Sequence, residues 1–499
     1  MNLMNNQKPF FDFNFVNRKR KKNMKEYDVI AIGSGSSTNI IEVLIRTHPD
    51  YKIALIDKDD PGGICLTKGC IPSKILIYPA EVLSTIKRAN SFGINVDIKK
   101  IDFKYIMNRM RSIIHKDIDN IKRGLTSTKE LDFYQEIAEF VEPYVLKVGK
   151  EKIKGKIILL GLGSKPRIPN IKGLDKVSYH TSDSILNINI LPKSICIIGG
   201  GYIAAEYGFF FSQMGSQVTI LEYLPQILNA EEPEISALAH KELSKELKII
   251  TNCKINEVTQ ISGKKKILAT NIKTKENLEI ITDEIFIAVG RSSNADILHP
   301  EKSGINVDEN DWIIVDEYLQ TSKPNIWAYG DAKGKYLFKH VANYESQLVY
   351  LNAFQKKKIK VDYHAIPHAV FTDPEIASVG LRESEALKIY GENNILIGFQ
   401  RFEDTAKGVA MNLKDCFVKI IIHSETSEIL GAHIIGPFAS VLIQEIINLM
   451  YTPERSILPL IQGMHIHPAL AEVIDRAVGN LMPVKQYHHY LEHLGLSIE

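Results

Sequence analysis

Residues 62–74 read GGICLTKGCIPSK, from Gly62 to Lys74, with four residues between Cys65 and Cys70. Gly62 and Gly63 allow the backbone to turn tightly or to lie close against a ligand. Pro72 suits the first turn of a helix, where its missing N–H costs nothing. A distorted first helical turn is one way to bring the two cysteines to disulfide reach, with Cα atoms roughly 4.4–6.8 Å apart. A helix N-terminus with Lys68 and Lys74 close by also favours a thiolate. Two unrelated buried cysteines fit the bare spacing as well. The flanking chain has to decide between them.

Upstream, residues 25–32 (KEYDVIAI) form a β-rich run that enters Gly33-Ser34-Gly35-Ser36-Ser37-Thr38. Apolar residues at helical spacing follow, then a second strand over 52–56 that ends at Asp57, with Lys58 next to it. Strand, glycine turn, helix, strand and acid make a dinucleotide-binding unit. Amides at the helix start, at Gly33, Gly35 and Ser36, suit a pyrophosphate, and Asp57 suits a ribose hydroxyl. Thr38 stands where a third small residue is usual, which predicts looser helix–strand packing. Downstream, residues 194–222 repeat the unit: a strand, Gly199-Gly200-Gly201, a helix opening at Tyr202 and Ile203, a strand and Glu222. The first glycine and the acid are 23 residues apart here and 24 in the first unit. Two such units imply two dinucleotides. A carboxylate at 222 accepts from a ribose diol and repels a 2′-phosphate, and no arginine follows over 223–226, so NAD is expected over NADP.

The chain has 499 residues, a formal net charge of +2, 44% hydrophobic and 24% charged residues. That length suggests several domains and that balance an ordinary globular protein. The charge gives no reason to expect nucleic acid. No apolar run is long enough for a transmembrane helix, and five cysteines are too few for a disulfide scaffold. A cytoplasmic protein with one working cysteine pair is expected. Residues 1–24, rich in Asn and aromatics and closing on the basic run 18–22, read as a solvated tail. Helices are expected over roughly 74–89 and 103–129, strands over 132–140 and 144–148, and a buried strand over 156–163 ending in Gly163. His465 and His467 share a face of an extended chain. A metal site needs three or four ligands and no third is evident, so no metal is expected.

With these motifs in place, the cysteine segment closely resembles that of the FAD-dependent pyridine-nucleotide disulfide reductases. Gly62, Gly63, Cys65, Gly69, Cys70, Ile71, Pro72, Ser73 and Lys74 match; Ile64 and Thr67 depart. Five further stretches resemble the family in order: the two glycine units, residues 288–291 with Gly290 and Arg291, residues 321–331 (TSKPNIWAYGD) ending in Asp331, and residues 463–477 (GMHIHPALAEVIDRA). The resemblance implies a Cys65–Cys70 disulfide beside FAD, with Cys70 nearer the flavin and Lys74 paired to Glu206 at its reactive nitrogen. It implies Asp331 on the ribityl chain, Tyr202 over the nicotinamide pocket, and His467, oriented by Glu472, reaching the partner subunit's cysteines. Ala138 replaces a family glycine near FAD.

The expected architecture is α/β: two Rossmann-like dinucleotide-binding domains, for FAD and NAD, and a C-terminal α+β dimerisation domain. The expected boundaries are 25–172 and 295–364 for the FAD-binding parts, 173–294 for NAD, and 365–499 for the interface. The expected activity transfers electrons between NAD and a small dithiol or disulfide in a homodimer, without nucleic acid or membrane as partner. Within the family the pattern is most similar to dihydrolipoamide dehydrogenase, whose partner is the lipoyl domain of a multienzyme complex, and to mycothione reductase. A flavoprotein scaffold without turnover is the third reading. Thr38, Ile64 and Ala138 favour it; Cys65, Cys70, His467 and Glu472 speak against it.

Overall fold

The computed structural model describes residues 24–495; the N-terminal tail, apart from Met24, lies outside the described residues. The strand Lys25–Ile32 is the centre of the first sheet. It pairs in parallel with Ile53–Ile56 on one side and Glu151–Leu160 on the other. Ile326–Ala328 adds in parallel to the far half of Glu151–Leu160. These strands are nearly continuous runs of Val, Ile, Leu and Ala, as parallel strands covered on both faces must be. The register aligns Ile32 with Ile56 and Leu160, and Leu160 with Ala328. All four strands therefore deliver their following residues to one carboxyl edge, where such sheets bind ligands.

The second sheet is also parallel, in the order Lys248–Ile250, Gln217–Leu221, Ser194–Ile198, Glu284–Ile287. Its helix Tyr202–Met214 is buried from Ala204 onward. The helix Cys70–Arg88 shares a core with it: Leu76, Ile77, Ala80 and Leu83 join Phe209, Phe210 and Phe211. That packing brings the cysteine segment against the second glycine unit. Beyond residue 366 lies a six-stranded sheet, Pro367–Val370, Ile376–Gly380, Ile429–Ile435, Phe417–His423, Ile395–Arg401 and Leu481–Pro483, with helices Ala439–Met450 and Glu472–Gly479 in its core. The α/β class and the α+β C-terminal part are as expected.

Three local readings need correction. The run expected as one strand over 132–140 is two, Leu131–Tyr134 and Ala138–Glu142, on opposite edges of the first sheet. Glu136 and Ile137, in the stretch between them, line a cleft at the carboxyl edge of this sheet. The helix expected from about residue 74 starts at Cys70. The looser packing expected from Thr38 does not occur. Thr38 turns its hydroxyl back to the Gly35 carbonyl at 2.8 Å, and buried Ser37 makes the close contact, because a Cβ on Gly161 would lie 2.5 Å from its Oγ.

A buried ionic node ties the C-terminal sheet to the helix Pro233–Leu243, which follows the second glycine unit. The Lys419 ammonium contacts Glu232 at 2.9 Å, Glu234 at 2.5 Å and Glu383 at 2.7 Å, and Tyr487 donates to Glu234 at 2.6 Å. Burial opposes the lysine charge, yet Tyr487 and the three carboxylates hold its pKa well above the ordinary ammonium value. Lys419→Met leaves three buried carboxylates without their cation. We expect a loss of about 3–5 kcal/mol in urea unfolding. A loss under about 1 kcal/mol would mean the carboxylates take up water or protons at little cost.

Candidate active site

At the carboxyl edge of the first sheet the chain crosses itself with no spare room. Gly33 sits at φ +94°, and a Cβ there would lie 2.0 Å from the Gly161 carbonyl oxygen. Gly63, at φ +69°, passes so close to the glycine turn that its Cβ would be 2.6 Å from Gly35 Cα. The cysteine segment is thereby pinned onto the first glycine turn.

Cys65 lies in the short helix Gly63–Thr67, and Cys70 opens the next helix. Gly69 makes the break between them: a Cβ there would meet Ile64 O at 2.9 Å and Cys65 Cα at 3.3 Å. Cys65 is partly buried, and its side chain lies within hydrogen-bonding reach of Cys70. The two thiols are electrostatically unequal. The hydrogen bond from Cys65 lowers the Cys70 pKa to about 6, against the effect of burial and with help from the Lys74 ammonium. The same hydrogen bond, followed by burial, pushes Cys65 far up. The direction of both shifts favours Cys70 as the thiolate and Cys65 as its protonated partner.

Lys74 Nζ contacts both oxygens of the buried Glu206 carboxylate, at 2.8 and 2.7 Å. Phe371 N–H donates to the same carboxylate at 3.1 Å. Burial raises the Glu206 pKa while Lys74 pulls it back. Asp331 accepts from Ser164 Oγ at 2.6 Å. Arg291 clamps that serine, with Nε 2.5 Å from Oγ and Nη2 2.8 Å from the carbonyl. Arg291, from the segment after the strand Glu284–Ile287 of the second sheet, thereby lines the first cleft. Asp57 accepts from Ser34 N at 2.8 Å and from Asp59 N at 3.0 Å, so its own loop already orients it. Lys58 pairs with Asp59 at 2.8 Å. Ser36, Lys58, Ala138, Gly163, Tyr202 and Ile203 also line this cleft.

The lining fits a flavin dinucleotide: backbone at a glycine turn for phosphates, Asp331 for a hydroxyl chain, and a thiolate and an ammonium at the inner end. Sequence reasoning missed Lys339. It is the first residue of the helix Lys339–Ala353, and its Nζ donates to Ser36 Oγ at 3.0 Å. No carboxylate among the described residues pairs with it. Burial lowers its pKa, and the thiols and Asp331 oppose that. A lysine at a helix start works against the macrodipole. That local misfit was the available signal.

The second glycine turn is built the same way. Gly199, at φ +109°, leaves a Cβ only 2.4 Å from the Ala288 carbonyl oxygen. Gly201 caps the helix that starts at Tyr202, and Gly290 stands at φ +104°. Glu222 lies against this turn, where a Cβ on Gly200 would be 2.7 Å from its carboxylate, and accepts from Leu224 N at 2.7 Å. Tyr202 lies at the junction of the two sites.

His467 Nδ1 is 2.8 Å from Glu472 Oε1, and Ala469 N donates to the other carboxylate oxygen at 3.1 Å. The histidine's hydrogen bond keeps the Glu472 carboxylate ionised to lower pH than usual. The His467 side chain is 68% exposed and does not line the cleft of its own chain. Around it Ile461, Met464 and Ile466 are exposed, Met464 completely. His465 lies between Glu445 and Asp475.

No helix among the described residues is long and apolar enough to cross a membrane. Residues 27–348 match the pyridine nucleotide-disulphide oxidoreductase family, and residues 366–478 match its dimerisation domain. The chain is 34% identical over 456 residues to the dihydrolipoyl dehydrogenase of Chlamydia pneumoniae, covering 90% of this chain and 95% of that protein. It is 32% identical over 467 residues to the mycothione reductase of Mycobacterium tuberculosis strain H37Rv, covering 91% and 99%. A Cu(II) complex of the HOCl-induced flavoprotein disulfide reductase RclA from Escherichia coli superposes with a TM-score of 0.81 at 25% identity, covering 91% and 99%. With its two dinucleotide folds, its cysteine pair and its dimerisation domain, the chain belongs to the FAD- and pyridine nucleotide-dependent disulphide oxidoreductase family.

Proposed function

We propose that this protein is a cytoplasmic, NAD-linked dihydrolipoyl dehydrogenase, oxidising a dithiol on dihydrolipoamide or on a lipoyl domain. The observation that carries the reading is the cysteine pair on either side of the Gly69 break, beside the Lys74–Glu206 ion pair, together with an exposed histidine backed by a carboxylate. FAD, when bound, carries the electron pair between Cys70 and the nicotinamide. The chain's own residues do the rest. His467 of the facing subunit takes a proton on Nε2 from the substrate dithiol, and Glu472 on Nδ1 steadies the resulting cation. The substrate thiolate attacks Cys65 Sγ of the closed pair, forms a mixed disulfide and releases Cys70 as thiolate. The second substrate thiol then displaces Cys65, which leaves protonated, and the substrate departs as a disulfide. The Lys74 ammonium holds negative charge at the inner end of the cleft. The division into FAD-binding parts 25–172 and 295–364, a NAD part 173–294 and an interface part 365–499 belongs to the same reading.

A mycothione-like reductase is the second reading, supported by the 32% identity to such an enzyme over 99% of its length. Turnover of purified protein with NADH or NADPH against lipoamide and a panel of low-molecular-weight disulfides separates the two. Failure with lipoamide beside turnover of another disulfide sinks the first. Glu222→Ala is expected to weaken NADH use and narrow its advantage over NADPH, read from kcat/KM with each. Faster wild-type turnover with NADPH at equal concentration would overturn the assignment of this carboxylate.

We assign Lys339 to the FAD diphosphate, because its ammonium donates to Ser36 Oγ of the first glycine turn and pairs with no carboxylate among the described residues. Lys339→Met should weaken FAD binding to apoprotein about tenfold, the size of one charge-assisted hydrogen bond. Fluorescence titration with FAD reads this directly; unchanged affinity rejects the role.

A further inference from the structure

The helix Val484–His493 lies beyond residue 478, where the match to the dimerisation domain ends. Val484, Tyr487 and Leu491 bury its inner face. Tyr487 is tied to Glu234, and His488 bonds Glu383 at 2.6 Å, so that imidazole is already engaged. On the outer face His489 and His493 are one turn apart and both exposed. Their Nε2 atoms face each other at 3.0 Å, with ring centroids 4.4 Å apart and planes at 75°. Nδ1 of His489 lies 3.4 Å from a Glu492 carboxylate oxygen.

Two nitrogens this close need either one shared proton or one shared cation. The carboxylate at His489 Nδ1 favours the tautomer that carries its proton there, so His489 Nε2 accepts from His493 Nε2–H in the metal-free protein and can ligate once a cation displaces that proton. With metal–nitrogen bonds of about 2.05 Å, donors at this separation subtend about 94° at the metal. That is close to the right angle between neighbouring ligands of a tetragonal ion and well short of a tetrahedral angle. Among divalent ions with imidazole affinity, Cu(II) and Ni(II) prefer that arrangement.

We propose that His489 and His493 form a surface site for a tetragonal divalent metal ion, Cu(II) above all. Water fills the remaining positions and Glu492 orients His489. The site is apart from the cysteine cleft and independent of the substrate assigned above.

The test is Cu(II) titration of metal-free, oxidised holoenzyme, followed by electron paramagnetic resonance and equilibrium dialysis. The wild type should bind one equivalent more per chain than the His489→Ala/His493→Ala double variant. The added signal should be tetragonal, with splitting from imidazole nitrogen. Each single variant should weaken this equivalent, and more than Glu492→Gln does, since it removes a ligand rather than the group that orients one. The metal-free variants should keep the wild-type melting temperature, since both rings are exposed. Equal Cu(II) uptake and equal spectra for the wild type and the double variant would overturn the proposal. A wild-type signal without nitrogen splitting would do the same.

Discussion

Cys65→Ser is expected to abolish turnover of every dithiol and disulfide substrate while leaving the protein yellow. Without any reductant it should show a long-wavelength absorption band, because Cys70 is then a free thiolate held against the flavin. A serine at 65 still donates a hydrogen bond, and Lys74 still supplies its charge, so the Cys70 pKa stays low. The sign of the pH dependence follows. Cys70 is lowered to about 6, so the thiolate and its band are present above that pH and fade as the pH falls through it. Cys70→Ser should be equally inactive and show no such band, since on this reading Cys65 is the thiol farther from the flavin. The measurement is a visible spectrum at a series of pH values. A band in Cys70→Ser and none in Cys65→Ser would exchange the two roles.

The second large effect is a recovery. Cys65→Ser and His467→Ala chains should each be inactive, and their mixture should regain activity after subunit exchange. His467 is exposed, sits beside exposed Met464 and Ile466, and does not line its own chain's cleft. A two-fold contact through that apolar face would carry it to the partner's cysteines and build two identical sites. In a mixed dimer one site then carries both lesions and the other neither. Equal mixing with full exchange makes half of the dimers mixed, so about one quarter of the wild-type activity should return. Mass spectrometry of differently tagged chains verifies the exchange. No recovery despite proven exchange would place the histidine's action within its own chain.

Much of the site was legible because it is local. A strand, a glycine turn, a helix and an acid span only some two dozen residues, and the turn has to be glycine where a Cβ would strike a carbonyl, as at Gly33 and Gly199. The pairing of Lys74 with Glu206, 132 residues apart, came only from family resemblance, since no local period encodes it. Thr38 misled for a related reason: the contact that matters is made by its neighbour Ser37 against Gly161.

By itself, then, the sequence determined the two dinucleotide units, the cysteine segment at a helix start and the carboxylate at 222. Each rests on backbone conformation and charge within a short span. Tertiary structure alone decided the surroundings that lower the Cys70 pKa, the contact with Cys65 first and the Lys74 charge beside it, against the effect of burial. It also decided that Arg291 turns to Ser164, that Lys339 meets Ser36 across 303 residues, and that Lys419 is enclosed by three carboxylates. Electrostatic fields and desolvation are sums over neighbours in space, and only the folded chain says who those neighbours are.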